Sequence, residues 1–413
     1  MQRNYYKLWK VRIMEEIQCI VNKNEKRKSG FTKDFGVEKA KKAKKFHKTF
    51  PNYRMTPLRE LTELSRFLGL NRIYVKDESY RFGLNAFKAL GGTYSIGRYI
   101  ADRLGMESNE LTYAQLKGVN IKEKFGDITF VTATDGNHGR GIAWAAKEMG
   151  CKSVVYLPKG SAPERLSSIA KLGAKAHITE MNYDDTVRFA KSQAEKNDWV
   201  LIQDTAWEGY EKIPRWIMQG YTTLGYEITE QLKGRDLTHI FLQAGVGSMA
   251  GALTGFFTDF YQGKKTPKIV IVEPNKADCV FKTAGAKDGL LQRVTGELDT
   301  IMAGLACGEV CTLGWDVLKE HGNYFVSVAD NVAAKGMRIL GNPLGEDKRI
   351  ISGESGAVTL GLIAEIMSRP ELSHVKRGLG LEDGSKVLCI STEGDTDREN
   401  YRKIVWDGFY PKD

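Results

Sequence analysis

Short apolar runs and helical patterns alternate along most of the chain. Runs rich in Val and Ile, such as residues 152–159 and 267–274, have the length of buried strands. Segments such as 183–197 and 248–262 show apolar residues at helical spacing. The strand-then-helix order recurs through most of the chain and is typical of parallel sheets covered by helices on both faces. The pattern therefore predicts an α/β fold.

The length of the chain extends this picture. With 413 residues, it suits two domains that share a cleft. In open parallel sheets, ligands bind at the carboxyl ends of the strands, where the turn into a helix exposes backbone N–H groups. The turns that follow the strands are therefore the candidate functional segments.

The formal net charge of +10 comes from the beginning of the chain. Residues 1–50 hold 15 Lys and Arg but only 5 Asp and Glu, whereas the rest of the chain holds 46 of each kind and is neutral. A basic run of this type is most often a solvated helix face or a mobile arm. We therefore expect a basic N-terminal arm over residues 1–50 and no nucleic-acid partner.

The remaining composition excludes several other classes. No run of about 18 apolar residues occurs, so we expect no membrane span. The six cysteines are scattered through a long chain, which favours reduced thiols and a cytoplasmic location. Cys307 and Cys311 are spaced C-x3-C, but no second pair or nearby His completes a zinc set. We expect no metal site.

The segment QAGVGSMAG, residues 243–251, places three glycines between a strand and a helix. Glycines there let the main chain approach a phosphate that the helix N-terminus favours. The spacing is also close to a dinucleotide-binding fingerprint, and Glu273, at the end of the next strand, could then hold a ribose hydroxyl. A packing turn without a ligand is the third interpretation.

Lys88 lies in NAFKALGG, residues 85–92, at an apolar helix start. Most lysines are solvated surface residues, and that is the simplest interpretation. A lysine desolvated among apolar neighbours instead has a lowered pKa and can form a Schiff base with a carbonyl compound. The segment thus predicts either an ordinary lysine or a reactive amine.

Two further strand-end turns carry polar side chains. The turn TATDGNHG, residues 132–139, places Asp135 at a helix start, where an Asp most often caps the helix. The turn CISTEGDTD, residues 389–397, delivers two hydroxyls. A lysine for an aldehyde, a phosphate loop, an asparagine and a hydroxyl together match what pyridoxal phosphate, an electron-sink cofactor, needs.

These motifs resemble those of the tryptophan synthase β family, the fold type II pyridoxal-phosphate enzymes. The resemblance runs from YRMTPLREL (53–61) to GDTDRENYRKIVWDG (394–408). It implies two open, twisted, mostly parallel sheets with helices on both faces and the cofactor in the cleft between two domains. The large domain would comprise residues 51–85 and 206–413, and the small domain, residues 86–205, would carry the asparagine loop.

The resemblance also implies roles for the motif residues. Lys88 is similar to the family's Schiff-base lysine, and Asn137 to the residue beside the cofactor's phenolic oxygen. The other implied cofactor contacts are Gly245, Val246, Gly247, Ser248 and Met249 at the phosphate, and Ser391, with Thr392 as the alternative, at the pyridine nitrogen. The implied substrate-binding residues are Thr134, Asp135, Gly136, Asn137 and His138. Glu354 either caps its helix or lines the cofactor ring.

Carboxylates at Asp135 and Asp204 are similar to the ammonia-lyase branch of this family, whereas its dehydratases commonly carry serine at the Asp135 position. A carboxylate near the substrate's own carboxylate is repulsive unless the substrate brings an extra cation, and a β-amino group is such a cation. We therefore expect α,β-elimination of D- and L-2,3-diaminopropionate to pyruvate and two ammonia. Lys88 would be the base for one enantiomer and Asp135 for the other, with Asp204 orienting the β-ammonium or tuning Asp135.

Other functions remain open at this point. A serine or threonine dehydratase is the near alternative, and an NAD(P)-binding oxidoreductase built on residues 243–251 is the distant one. A pyridoxal-phosphate-binding regulator without catalysis is a third class. Because the family usually forms dimers, we expect a homodimer that binds a small amino-acid substrate.

Overall fold

The computed structural model describes residues 16–22, 30–106 and 111–411. Within them, strands alternate with helices for most of the chain, as the apolar pattern predicts. The strands are β1 (Ile17–Val21), β2 (Leu58–Glu60), β3 (Arg72–Asp77), β4 (Thr129–Ala133), β5 (Lys152–Leu157), β6 (Lys175–Ile178), β7 (Val200–Leu201), β8 (His239–Gln243), β9 (Lys268–Pro274), β10 (Tyr324–Val328) and β11 (Lys386–Ser391).

Helices connect these strands. The α-helices are α1 (Val37–His47), α2 (Thr62–Phe67), α3 (Ala89–Arg103), α4 (Tyr113–Gly118), α5 (Ile121–Phe125), α6 (Asn137–Glu148), α7 (Pro163–Ala170), α8 (Tyr183–Asn197), α9 (Lys212–Leu232), α10 (Ser248–Phe260), α11 (Cys279–Gly285), α12 (Thr312–His321), α13 (Asp330–Gly341), α14 (Glu354–Ser368), α15 (Ser373–Leu379) and α16 (Arg398–Val405). Short 3-10 helices cover Gly30–Asp34, Glu78–Gly83, Ala303–Leu305 and Pro370–Leu372.

The strands form two open sheets. Among the described residues, the larger sheet has seven strands in the order β1-β10-β9-β8-β11-β3-β2, and the smaller has four in the order β6-β5-β4-β7. All pairs are parallel except β1 with β10 and β2 with β3, at the two edges of the larger sheet. The expected α/β fold with two mostly parallel sheets is confirmed.

Both faces of the larger sheet are covered, because alternate residues of its strands enter different cores. In β9, Ile269 and Ile271 belong to one buried cluster, whereas Val270 and Val272 belong to another. Side chains of successive strand residues point to opposite faces of a sheet. A strand buried on both faces reads as a continuous apolar run, which is why the sequence pattern detects it.

The described residues at the beginning of the chain are part of the same fold. Strand β1 adds an antiparallel edge to the larger sheet, and helix α1 buries Ala40, Ala43 and Phe46 while Lys41 and Lys45 are exposed. The lysine-rich segment of α1 is thus a solvated helix face over an apolar one. Residues 1–15 and 23–29 of the expected basic arm lie outside the described residues. The smaller sheet falls wholly within residues 86–205, the segment predicted as the small domain.

A cluster of buried charges lies at the end of β3 and just after it. Lys76 and Arg81 both pair with Glu227 of α9, at 2.6 and 2.8 Å, and Arg81 also pairs with Glu78 at 2.8 Å. All four side chains are completely buried. The next residues include Phe82 and Asn85 with φ of 51° and 58°, conformations that are uncommon for residues other than glycine. The cluster therefore fixes an irregular segment that leads directly to Lys88.

Three helices approach each other closely around the start of α3. A Cβ atom on Gly141 of α6 would lie 2.9 Å from the Cα of Ala89, and one on Gly220 of α9 would lie 2.5 Å from the carbonyl oxygen of Leu90. Real Cβ atoms do not make such contacts, so both positions require glycine. The backbone that carries Lys88 is held between α6 and α9.

Helices α13 and α14 pack even more closely, because a Cβ on Gly361 would overlap the carbonyl oxygen of Val332. We expect Gly361→Ala to lower the free energy of unfolding by about 1–3 kcal/mol, since the helices must separate. Gly378→Ala in α15 is the matched control, because a Cβ at Gly378 would have no atom within 4 Å. The change also removes a poor helix former, so we expect no loss of stability. Urea unfolding followed by circular dichroism measures both variants, and equal destabilisation would contradict the packing argument.

Candidate active site

A cavity lies where strands of both sheets end. Its wall is formed by the segments that follow β3, β4, β7, β8 and β11, all at carboxyl ends. The predicted residues on this wall are Lys88, Asn137, Asp204, Gly245, Val246, Gly247, Ser248, Met249 and Thr392. A second cavity, with a volume of about 480 Å³, is bordered by Asp135 and shares Tyr183 with the first. The fold thus brings four distant sequence motifs to one place.

Lys88 lies immediately before α3, and two carboxylates face its ammonium group. Its Nζ donates to Oδ2 of Asp204 at 2.9 Å and lies 3.7 Å from Oδ1 of Asp135. Burial lowers the pKa of Lys88, but Asp204 and Asp135 outweigh burial and raise it well above its ordinary value. The lowered pKa expected of a lysine among apolar neighbours is therefore wrong for the free lysine. The groups that decide its pKa are two carboxylates from other parts of the chain, not its neighbours in sequence.

Asp204 is held from several sides. Besides Lys88, the hydroxyl of Tyr183 donates to its Oδ1 at 3.4 Å, and Nδ1 of His138 lies 3.8 Å from its Oδ2. Burial raises the pKa of Asp204, but His138 and Lys88 bring it down to about 2. Because burial lowers the pKa of His138 itself, Lys88 is the cation that keeps Asp204 ionised at neutral pH. Asp204 is thus a buried carboxylate that faces Lys88.

Asp135 lies between two cations. Its Oδ2 is 3.4 Å from Nη1 of Arg165, which also donates to the Asp135 carbonyl at 3.0 Å, and its Oδ1 faces Lys88. The capping interpretation fails, because Thr134 occupies that position: its Oγ1 accepts from the N–H groups of Gly136 and Gly139 at 2.9 and 3.1 Å. The side chain of Asp135 is therefore free of the helix and directed toward Lys88.

The asparagine loop enters α6 through Gly136, whose φ of 143° is a conformation that favours glycine. The first turn of a helix has backbone N–H groups without intrahelical partners, so an anion is favoured there. The side chain of His138 is fully buried behind Asp204, and its Nε2 bonds the carbonyl of Ile202 at 2.8 Å. This places the imidazole away from the cavity wall, so any substrate contact at His138 is left to its backbone.

The glycine-rich loop leads into α10, which has 13 residues. Gly247 has a φ of 93°, and a Cβ on Gly245 would lie 3.1 Å from the Cα of Leu305. Ser248 donates its hydroxyl to the carbonyl of Asp204 at 2.6 Å, which ties this loop to the segment after β7. The loop thus offers main-chain N–H groups at a helix start to an anionic group in the cavity.

The two hydroxyls after β11 have different surroundings. Thr392 is on the cavity wall, and its Oγ1 accepts from Nε2 of Gln243 at 3.1 Å. Ser391 is fully buried and donates to the Oγ of Ser352 at 2.8 Å. Thr392, rather than the preferred Ser391, is therefore the hydroxyl that faces the cavity.

The cavity wall suits a polar ligand with several hydrogen-bonding groups. Four buried polar atoms on it have no hydrogen-bond partner among the described residues: Tyr221 Oη, Gln243 Oε1, Ser355 Oγ and Glu393 Oε1. Unpaired buried polar groups are costly, so such a cluster indicates that a ligand supplies the partners. With an amine at one end and a helix-start glycine loop at another, the residues present fit pyridoxal phosphate.

Sequence reasoning did not identify several members of the site. Arg165, Tyr183 and Ser355 come from helices whose sequences look like ordinary amphipathic or apolar segments. Glu393 stands in the quoted turn CISTEGDTD, but nothing in that turn shows which of its polar residues face inward. The three-dimensional contacts with Asp135, Asp204 and Asn137 reveal Arg165, Tyr183 and Glu393, and the cavity lining reveals Ser355.

Glu273 decides against the dinucleotide alternative. Its carboxylate accepts from the backbone N–H groups of Val280 and Phe281 at 2.9 and 2.6 Å, at the start of α11. Burial raises its pKa well above the ordinary value. A carboxyl group engaged in this way is not available to a ribose hydroxyl.

Two further properties concern the described residues alone. They contain no group of three or more His, Cys, Asp or Glu side chains arranged to hold a metal ion. Among them, no helix combines the length and apolar character needed to cross a membrane.

Comparison with known proteins agrees with this geometry. The family model described as "Pyridoxal-phosphate dependent enzyme" matches residues 49–390. The diaminopropionate ammonia-lyase of Salmonella typhimurium is 51% identical over 367 residues, which cover 88% of this chain and 91% of that protein.

Solved structures give the same result. The holo diaminopropionate ammonia lyase from Escherichia coli superposes with a TM-score of 0.89 at 47% identity, covering 96% of this chain and 98% of that one. The same enzyme in complex with an aminoacrylate-PLP azomethine reaction intermediate has a TM-score of 0.87 at 46% identity, with the same coverage. The chain therefore belongs to the pyridoxal-phosphate-dependent enzymes, and within them to the diaminopropionate ammonia-lyase family.

Proposed function

We propose that this chain catalyses the α,β-elimination of 2,3-diaminopropionate, releasing pyruvate and two molecules of ammonia. The observation that carries the proposal is the pair of buried carboxylates, Asp135 and Asp204, on either side of Lys88. The relatives that carry the name diaminopropionate ammonia-lyase support it, since they match about nine-tenths of the chain.

The residues that would hold the cofactor are among those that line the cavity. When bound, pyridoxal phosphate withdraws electrons from the substrate's α-carbon, so that the α-proton becomes acidic. Lys88 would attach it covalently, and Asn137 would donate to its phenolic oxygen. The backbone of Gly245, Val246, Gly247, Ser248 and Met249 would hold its phosphate. Thr392 would serve the ring nitrogen, because Gln243 already donates to its oxygen and leaves its proton free. Ser391 supports this turn through Ser352.

The substrate's charges match those of the chain. The N–H groups at the start of α6, next to Gly136 and Asn137, receive the substrate carboxylate, and Thr134 keeps this turn in shape. Asp135 and Asp204 receive the β-ammonium group. A buried carboxylate without a cation is strongly unfavourable, so a neutral hydroxyl in place of the β-ammonium leaves Asp204 uncompensated once Lys88 carries the cofactor, whereas Asp135 keeps Arg165. This requirement separates the proposed lyase from a serine or threonine dehydratase.

Two groups would accept the α-proton. The Nζ of Lys88 takes it from one enantiomer, and a carboxylate oxygen of Asp135 takes it from the other. Arg165 holds Asp135 in position, and Tyr183 does the same for Asp204. The leaving nitrogen departs as ammonia, and water completes the conversion of the remaining product to pyruvate and a second ammonia.

We infer a homodimer from the family resemblance, and a cytoplasmic location from the unpaired thiols. All six cysteines are free. The ligand of each copy is a small amino acid.

Replacing the attachment lysine tests the cofactor assignment. Lys88→Arg keeps a cation beside Asp204 and Asp135 but removes the primary amine, so we expect turnover to fall by about a thousandfold or more. Borohydride treatment of the holoenzyme should attach the cofactor to the peptide that contains Lys88, as read by mass spectrometry. Attachment to another lysine, or activity retained by the arginine variant, would contradict the assignment.

Substrate preference tests the charge argument. We expect kcat/KM for diaminopropionate to exceed that for serine by at least about tenfold, because serine leaves a buried carboxylate unpaired. β-Chloroalanine is the matched control, since it has a good leaving group but no β-cation. Pyruvate release, followed with lactate dehydrogenase, measures all three. A preference for serine would establish a dehydratase instead.

Asp135→Asn tests the two-base scheme. Loss of a general base costs about 10²- to 10⁴-fold in rate, so we expect kcat to fall by that amount for one enantiomer of diaminopropionate and much less for the other. Asp127→Asn, at a surface residue that pairs with Lys152, serves as the control and should change neither rate. Equal losses on both enantiomers would show that Asp135 only binds or positions the substrate.

A further inference from the structure

Glu393 is a buried carboxyl on the wall of the active-site cavity to which the proposed mechanism gives no role. It lies two residues after β11 and is 2% exposed. Its backbone forms a bridge with Ala86, and its carbonyl accepts from the N–H of Gly353 at 3.1 Å. The position of Glu393 is thus fixed relative to Lys88, two residues beyond Ala86, and to the start of α14.

The side chain of Glu393 contacts Asn137. Its Oε2 accepts a hydrogen bond from Nδ2 of Asn137 and a second one, 3.1 Å long, from Oγ1 of Thr396. Its Oε1 has no partner among the described residues. Arg165 supplies positive charge nearby: burial lowers the pKa of Arg165, but Asp135 and Glu393 outweigh burial and raise it. Glu393 therefore interacts electrostatically with Arg165 and accepts a hydrogen bond from Asn137.

The chemistry of the two groups determines how the amide is turned. A carboxylate can only accept hydrogen bonds, whereas an Asn side chain has an N–H₂ end that donates and an oxygen end that accepts. Beside Glu393, Asn137 must therefore present its nitrogen, and the second N–H on that nitrogen remains available to the cavity. Turned by 180°, the amide would place its oxygen against Glu393 and against an anionic phenolic oxygen, and both contacts would be repulsive.

We propose that Glu393 is a positioning residue that acts through Asn137: it fixes the amide so that an N–H faces the phenolic oxygen of the cofactor. The proposal rests on the cofactor role proposed above for Asn137. It adds that the donor orientation of this side chain is imposed by a second residue, from the turn after β11, rather than by the asparagine loop itself.

A double-mutant cycle on cofactor binding tests this coupling. The variants are Glu393→Met, which keeps the volume but replaces the carboxylate by a thioether, a weak acceptor, Asn137→Ala, and the combination. Titration of the cofactor-free full-length protein with pyridoxal phosphate, followed by tryptophan fluorescence, gives each Kd. We expect each single change to weaken binding by about tenfold and the double variant to be no weaker than the singles. Both singles should shift the visible absorption maximum of the bound cofactor in the same direction.

Two further variants distinguish positioning from general support of the turn. Glu393→Gln retains an oxygen that can accept the same N–H, so we expect it to restore the Kd to within about threefold of the original. Thr396→Val removes the other donor to the same carboxylate but leaves Asn137 in place, and we expect less than about a twofold change.

Several results would overturn the proposal. Additive losses in the double variant would mean that Glu393 acts independently of Asn137, and equal losses in Glu393→Met and Thr396→Val would mean that it merely supports the turn. An unchanged Kd in Glu393→Met would remove its role altogether. An unchanged Kd in Asn137→Ala would instead refute the proposed cofactor role of Asn137, which is a separate failure.

Discussion

The pairing of Lys76, Glu78, Arg81 and Glu227 is the interaction on which the arrangement of the active site depends. Burying a charge costs several kcal/mol unless a partner and further hydrogen bonds compensate it, so these four side chains form one unit. The unit joins the end of β3 to α9. The irregular segment that ends in Lys88 begins there, and its left-handed residues are held because both of its flanks are fixed.

The active site also depends on the docking of two sheets. Asp135, Asn137 and Asp204 follow strands of the smaller sheet, whereas the glycine loop and Thr392 follow strands of the larger one. The side-chain contact between Asn137 and Glu393 crosses from one sheet to the other, and so does the hydrogen bond from Ser248 to the Asp204 carbonyl. Close helix contacts at glycines leave little room for the two sheets to shift, so the groups at their ends keep fixed distances.

Local sequence patterns predict most of the inner strands and the motif turns, because burial on both faces and helix-start chemistry can be recognised within a few residues. They do not predict β1, an edge strand of five residues that follows a basic segment, or the inner strand β10. They also give the wrong direction for the pKa of Lys88, since its dominant partner, Asp204, is 116 residues away. Arg165 and Glu393 were missed for the same reason: their roles exist only through long-range contacts.

The two carboxylates around Lys88 make the state of its amine depend on the other charges in the site. In the free protein, Asp204 and Asp135 raise the pKa of Lys88 and favour its ammonium form. Asp135 also has Arg165 beside it, whereas Lys88 is the cation that Asp204 depends on. Any group that takes the charge of Lys88 away must therefore leave Asp204 a substitute cation or a hydrogen-bond donor. The charge balance of the pocket in this way links its occupant to the state of the lysine.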